Sequence, residues 1–153
     1  MTKFEELGIK QSILDGLKEI GFDEAFPIQE ATIPVLLSGR DVIGQAHTGT
    51  GKTAAFGISM LSGVDANKTI QGLVLAPTRE LALQITDEIK KFAKHTGIKV
   101  VSIYGGQGMG VQLQALRHGV EIVVATPGRL IDHLKQGSIE LNDIKYVVLD
   151  EAD

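Results

Sequence analysis

Short apolar runs enriched in β-branched residues recur along the chain at Asp41–Gln45, Gly72–Ala76, Lys99–Tyr104, Glu121–Ala125 and Lys145–Leu149. Continuous rather than alternating apolarity predicts strands buried on both faces, as in a parallel sheet. Between these runs the period changes. Thr53–Leu61, Glu80–Thr96, Val111–His118 and Arg129–Gln136 carry the spacing of helices, with Leu81, Ile85, Ile89 and Phe92 on one face of the second. Alternating strand and helix predicts an α/β domain: a parallel sheet with right-handed crossovers, helices on both faces, and ligands at the carboxyl ends of the strands. The first part of the chain reads differently. Lys10–Ile20 and Ile28–Leu37 predict two helices, separated by Gly21-Phe22 and a turn at Pro27. The expected organisation is therefore a helical prefix over 1–40 followed by a sheet-bearing lobe over 41–153.

Composition narrows the chemistry. At 153 residues and 43% hydrophobic content, the chain suits one domain with a real core. It has no cysteine, which excludes disulfides, cysteine-held zinc, iron–sulfur clusters and thiol catalysis. Its four histidines are scattered without ligand spacing, so no structural metal is expected. No stretch approaches the roughly 18 apolar residues of a membrane span, and the sequence predicts a cytoplasmic protein with no membrane role. The formal charge of −4 argues against broad electrostatic capture of nucleic acid. A local track of a few Arg side chains and helix N-termini remains open. With no Trp, five Phe and two Tyr, base stacking is not the expected grip, so any nucleic acid is expected to be held by its backbone.

Two segments carry the chemistry. Ala46-His47-Thr48-Gly49-Thr50-Gly51-Lys52-Thr53 lies between a predicted strand and a predicted helix. A glycine-rich turn there aims backbone N–H groups at phosphates, Lys52 neutralises the terminal phosphates, and Thr53 ligates magnesium. The strict phosphate-loop pattern begins with Gly, and Ala46 departs from it. The competing reading is a loop whose glycines only make a turn. Downstream, Tyr146-Val147-Val148-Leu149 ends in Asp150-Glu151, where Asp150 can hold magnesium through water and Glu151 can polarise an attacking water. Alone, that acidic pair reads equally well as an exposed turn. Gly105-Gly106-Gln107-Gly108-Met109-Gly110 follows a strand and precedes a helix, but it lacks the third spaced glycine and the acidic partner of a dinucleotide fingerprint.

In these segments the chain resembles the DEAD-box RNA helicases of superfamily 2, whose name is spelled by Asp150-Glu151-Ala152-Asp153. Gly21-Phe22 and Pro27-Ile28-Gln29 resemble the Q motif, with Phe4 at the place of an isolated upstream aromatic. Pro77-Thr78-Arg79-Glu80-Leu81 is similar to motif Ia, Gly105-Gly106 to the GG motif, and Thr126-Pro127-Gly128-Arg129 to motif Ib. The Q motif departs from its usual form, with Ala25 and Phe26 where Pro and Thr are usual. The resemblance implies a RecA-like first lobe that uses ATP and magnesium. In it Gln29 reads the adenine edge, Phe22 and Phe4 lie near the base, and Phe26 packs on the adenine side. Ala46 and Thr48–Thr53 cradle the phosphates, and Lys52, Asp150 and Glu151 serve hydrolysis. A core role for Phe4 and a surface role for Gln29 are the plain alternatives.

For RNA, the resemblance points to Pro77, Thr78, Arg79, Gly105, Gly106, Thr126, Pro127, Gly128 and Arg129. Thr78 and Thr126 are suited to helix N-caps and Pro127 to the first helical position, which leaves N–H groups facing a phosphate. Arg79 and Arg129 would add charge-assisted contacts, giving sequence-independent binding. The family continues to an S-A-T motif, whose strand normally lies between the phosphate-loop and D-E-A-D strands, and then to a second RecA-like lobe with an arginine finger. The chain is accordingly expected to be part of a longer helicase, weakly active by itself. A DNA-directed superfamily-2 motor and a non-catalytic nucleotide- or partner-binding module are the other readings.

Overall fold

A computed structural model describes residues 2–46 and 51–151. It divides into two compact units, one of residues 1–63 and 88–97, the other of residues 64–87 and 98–153.

The first unit is helical. A 3-10 turn at Phe4–Glu6 precedes α1 (Gln11–Glu19), α2 (Pro27–Leu37) and α3 (Lys52–Gly63). Helix α3 packs against both α1 and α2. Ile13, Leu17, Ile33, Ile58, Leu61 and Phe92 are fully buried there, which is what the period of these segments demands. Gly16 marks a close approach: a Cβ on it would stand 2.9 Å from the Phe92 carbonyl oxygen, so α1 lies directly on backbone. α2 starts where Pro27 takes the first helical position, its missing N–H costing nothing there.

The second unit holds a four-stranded parallel sheet of β1 (Gly72–Leu75), β2 (Val100–Ile103), β3 (Ile122–Ala125) and β4 (Tyr146–Leu149), in the order β2-β3-β1-β4. α5 (Met109–His118) joins β2 to β3, and α6 (Pro127–Gln136) joins β3 to β4. α4 (Arg79–Phe92) follows β1, with residues up to 87 in this unit and the remainder in the first. β3 is buried along its whole length, and with Leu73, Ile103, Val120, Leu130 and Ile139 it forms the core of the unit. No helix among the described residues is long and apolar enough to cross a membrane.

Four of the five expected strands form. Residues 41–46 do not: they make no strand, and Ile43 is 101% exposed. An apolar run becomes a strand only when its N–H and C=O groups are paired across a ladder, and nothing among the described residues pairs with this one. The edge strand β4 shows the related effect. It pairs with β1, and Val147 and Leu149 remain exposed.

Two buried polar groups hold the second unit at opposite ends. At the amino end of the sheet, Glu121 is 2% exposed, and its carboxylate accepts from the backbone N–H of Lys68 (2.7 Å) and of Lys99 (2.6 Å). It thereby pins the segments entering β1 and β2, including Lys68 at φ 66°. Further along, α6 buries His133 completely. Its Nε2 lies 2.8 Å from Gln112 Oε1 and its Nδ1 2.7 Å from Ser138 Oγ. Because the carboxamide oxygen can only accept, Nε2 carries the proton.

Glu121→Ala strips both backbone donors of their acceptor, and chemical denaturation is expected to show a loss of about 2–3 kcal/mol. Glu121→Gln, which keeps one acceptor oxygen, should lose clearly less. Burial, and then the neighbouring Arg129 cation, lower the His133 pKa below its ordinary 6.5, with Asp132 opposing. The unfolded chain therefore binds this proton first as pH falls, so the contribution of neutral His133 is fully present above pH 6.5 and lost as pH drops below it. Stability measured between about pH 5 and 7 should fall on acidification, and His133→Gln should flatten that slope.

Candidate nucleotide and nucleic-acid interface

The parallel register determines where the motif residues lie. Leu75, at the end of β1, is in register with Ala125 of β3 and Leu149 of β4, and Ala125 with Ile103 of β2. Hydrogen bonds one step further on continue the alignment: Ala76 N–H to Ala125 O (3.0 Å), Thr126 N–H to Ile103 O (2.9 Å) and Asp150 N–H to Leu75 O (3.0 Å). The segments beginning at Ala76, Tyr104, Thr126 and Asp150 thus leave one edge of the sheet side by side. They carry Pro77–Arg79, Gly105–Gly106, Thr126–Arg129 and Asp150–Glu151. Asp150 is half-buried, and the exposed Glu151 takes a left-handed φ of 55°.

Thr78 caps α4 as its residue type predicts, with its hydroxyl accepting from Leu81 N–H at 3.2 Å. The exposed Arg79 guanidinium stands 5.3 Å over the Tyr104 ring, a cation–π contact. It also flanks Gly106, whose φ of 92° favours glycine. Thr126 occupies the N-cap position of α6 with Pro127 next, but its side chain makes no capping hydrogen bond. The N-cap expected of Thr126 is therefore one of backbone position only.

Arg129 is held mainly within the protein. Its side chain is 16% exposed. Nη1 donates to Gln107 O (2.9 Å) and to Gln112 Oε1 (3.2 Å), and Nε faces Asp132 at 3.6 Å. Much of the guanidinium capacity expected for a phosphate is spent inside the protein. Gln112 was not anticipated. Buried to 1% exposure, it also donates from Nε2 to Tyr104 O (2.8 Å) and Gln107 Oε1 (2.9 Å). The available signal was a Gln and a His standing at apolar positions of two helices, Gln112 one turn before Leu116 and His133 three residues after Leu130.

In the first unit, a recess of about 400 Å³ is lined by Gly21, Phe22, Asp23, Glu24, Phe26 and Gln29. The Phe22 and Phe26 rings are partly exposed and form its apolar surface. Phe4, for which the sequence left both a place near the base and a core role open, is a core residue at 2% exposure, stacked on Phe22 with centroids 6.5 Å apart. Its ring is covered and supports Phe22 from behind.

Gln29 is buried. Its Oε1 accepts from Phe26 N–H (2.9 Å), closing the first turn of α2, and its Nε2 donates to Gly51 O (3.1 Å). One carboxamide N–H and one lone pair remain uncommitted by these two bonds. Gly51 has φ 86°, and a Cβ there would fall 2.1 Å from Gln29 Nε2, so only glycine fits. It opens α3, where Lys52 and Thr53 occupy the first turn and are half-buried. Ala46 is half-buried, and Thr48, Gly49 and Thr50 lie outside the described residues.

A family model described as DEAD/DEAH box helicase matches residues 26–153. The chain is 51% identical, over its whole length, to the DEAD-box ATP-dependent RNA helicase CshA of Bacillus cereus, and spans 29% of that protein. It is 53% identical over 99% of its length to the ATP-dependent RNA helicase DeaD of Escherichia coli, spanning 24% of it. Among solved structures, a DEAD box protein from the hyperthermophile Methanococcus jannaschii superposes with a TM-score of 0.94 at 40% identity, covering all of this chain and 42% of the other. The RNA helicase Prp28 from Chaetomium thermophilum bound to ADP gives 0.89 at 46% identity, covering all of this chain and 39% of the other. The parallel sheet flanked by helices is thus a RecA-like domain, and the chain belongs to the DEAD/DEAH box helicase family.

Proposed function

We propose that this chain is the first lobe of an ATP-dependent RNA helicase, binding ATP with magnesium and the backbone of RNA. In the whole protein a second RecA-like lobe completes the reaction, coupling RNA-stimulated ATP hydrolysis to local duplex separation. The observation that carries this reading is the row of four motif-bearing segments at the carboxyl edge of one in-register sheet. The names of the relatives, RNA helicases and an ADP-bound helicase, point the same way.

For the nucleotide, the left-handed turn at Gly51 opens α3 with N–H groups suited to phosphate oxygens. Lys52 neutralises the terminal phosphates. The residues fit magnesium in kind, a hydroxyl at Thr53 beside the phosphate-binding turn and a carboxylate at Asp150 reaching through water. When bound, the ion supplies charge stabilisation at the phosphate oxygens. Glu151 orients and deprotonates the attacking water. Ala46, Thr48, Gly49 and Thr50 complete the phosphate loop by their sequence pattern. Gln29 reads the adenine edge with its remaining N–H and lone pair, while Phe22 and Phe26 supply the apolar wall of the recess.

For RNA, the Thr78-capped start of α4, the Gly105-Gly106 backbone, and the Pro127-Gly128 start of α6 offer N–H groups to phosphates. Arg79 adds the exposed cation. These contacts read backbone shape, so binding is sequence-independent.

ATP turnover measured on the intact protein is expected to rise with RNA and not with DNA. Lys52→Ala should reduce it by about a hundredfold or more, and Glu151→Gln should abolish it while preserving ATP binding. The 153-residue chain alone should turn over at least about a thousandfold more slowly, for want of arginine-finger stabilisation. An intact protein that binds ATP yet shows no RNA-dependent turnover would overturn the motor reading in favour of a binding module. Arg79→Ala is expected to weaken oligouridylate and oligoadenylate binding alike and to lower the slope of log Kd against log salt by about one phosphate contact.

A further inference from the structure

The Gly105–Gly110 loop is fastened on both sides of its two glycines by the same buried group. Tyr104 O, immediately before Gly105, accepts from Gln112 Nε2 at 2.8 Å. Gln107, immediately after Gly106, is held twice: its side-chain oxygen by Gln112 Nε2 at 2.9 Å and its carbonyl by Arg129 Nη1 at 2.9 Å. Gln112 Oε1 in turn accepts from Arg129 (3.2 Å) and faces His133 Nε2 (2.8 Å), while Ser138 Oγ lies at the far side of the imidazole, 2.7 Å from Nδ1. Every polar end of the Gln112 carboxamide is thus spent on the loop or on the residues of α6 that steady it.

The arrangement is more elaborate than packing requires. A leucine at position 112 would fill a similar volume in α5, whereas a buried amide is tolerated only when its hydrogen bonds are all made. Gly105 and Gly106 have no side chains to order them, and Gly106 holds a left-handed φ of 92°. Their backbone N–H groups keep a fixed direction only if the residues on either side are anchored. Arg129, whose cation is largely buried, serves in that anchorage more than at the surface.

We propose that Gln112 is a positioning residue for RNA, with His133 acting through it: together they hold the Gly105-Gly106 backbone in a conformation ready to accept a phosphate. This role rests on the RNA-backbone reading of the site. Neither residue touches the strand. Each works by removing from the bound state the cost of ordering the loop.

The test measures three quantities on the intact protein: the Kd for a ten-nucleotide oligouridylate, the Kd for ATP, and amide exchange at residues 104–110. Gln112→Leu is expected to raise the RNA Kd about tenfold, leave the ATP Kd within about twofold, and accelerate exchange in the loop while the strands stay protected. His133→Leu should reproduce part of that loss. His133→Gln, which restores a donor toward Gln112, should recover it, and His133→Leu should cost nothing further in the Gln112→Leu background. An RNA Kd unchanged despite accelerated loop exchange overturns the proposal, as does a parallel fall in RNA and ATP affinity with a lowered Tm. If Gln112→Leu does not fold, equal RNA affinity of His133→Leu and His133→Gln overturns it. Failure of the underlying reading looks different: the unsubstituted protein would not bind RNA, or Arg79→Ala would bind it undiminished.

Discussion

The parallel register of β2, β3, β1 and β4 is the constraint on which the second unit depends. In a parallel ladder all strands point the same way, so residues in register at one strand's end are in register at every other. Leu75, Ala125, Ile103 and Leu149 form that terminal row. Motif-bearing segments begin just beyond each of these residues, and among the described residues of this unit none lies at the opposite ends of the strands. Glu121 secures that opposite end, where its carboxylate ties the entries to β1 and β2. A slip of one residue at β3 would both orphan those N–H groups and displace the Thr126–Arg129 segment from its neighbours. Stability and placement of the site therefore rest on the same hydrogen bonds.

Each unit solves a second problem with the same device. Glycine-rich loops approach phosphate closely because they have no side chains, and for that reason they have nothing of their own to hold them. In the first unit Gln29 reaches from α2 to the Gly51 carbonyl. In the second, Gln112 reaches from α5 to the Tyr104 carbonyl beside Gly105. A carboxamide suits this task, since it donates and accepts without carrying a charge that burial would penalise.

Much of this was legible in the sequence. The helices formed close to their periodic segments because packing of an apolar stripe decides them. β1 to β4 formed for the same reason, each having a neighbour to pair with. The segment 41–45 shows where composition stops being informative: its residues favour a strand, but strand formation belongs to a pair of segments and not to one. For Phe4 and Arg129 the sequence left the side chain's surroundings open in a related way. A motif position says which residue occupies it, while burial and partners decide what the side chain does, and here Phe4 stacks into the core and Arg129 turns inward. Gln112 and His133 lie outside the motif positions, and only the packing of α5 and α6 beside the loop reveals what they hold.

The electrostatics explain why such bracing matters. The chain carries a net charge of −4, and of the two Arg expected to face RNA, Arg129 is largely withdrawn into the protein. A strongly basic surface can hold a polyanion loosely in many orientations and still bind it well. On the proposed RNA reading, this one relies on the exposed Arg79, helix starts and glycine N–H groups, whose partial charges act only at short range and with good alignment. Where charge is scarce, affinity comes from preorganisation, and the energy for that is invested in buried hydrogen bonds away from the contact surface. On that reading the same scarcity would favour release: a grip that depends on alignment would be lost when the loop or its neighbours shift, whereas one built on excess charge would persist.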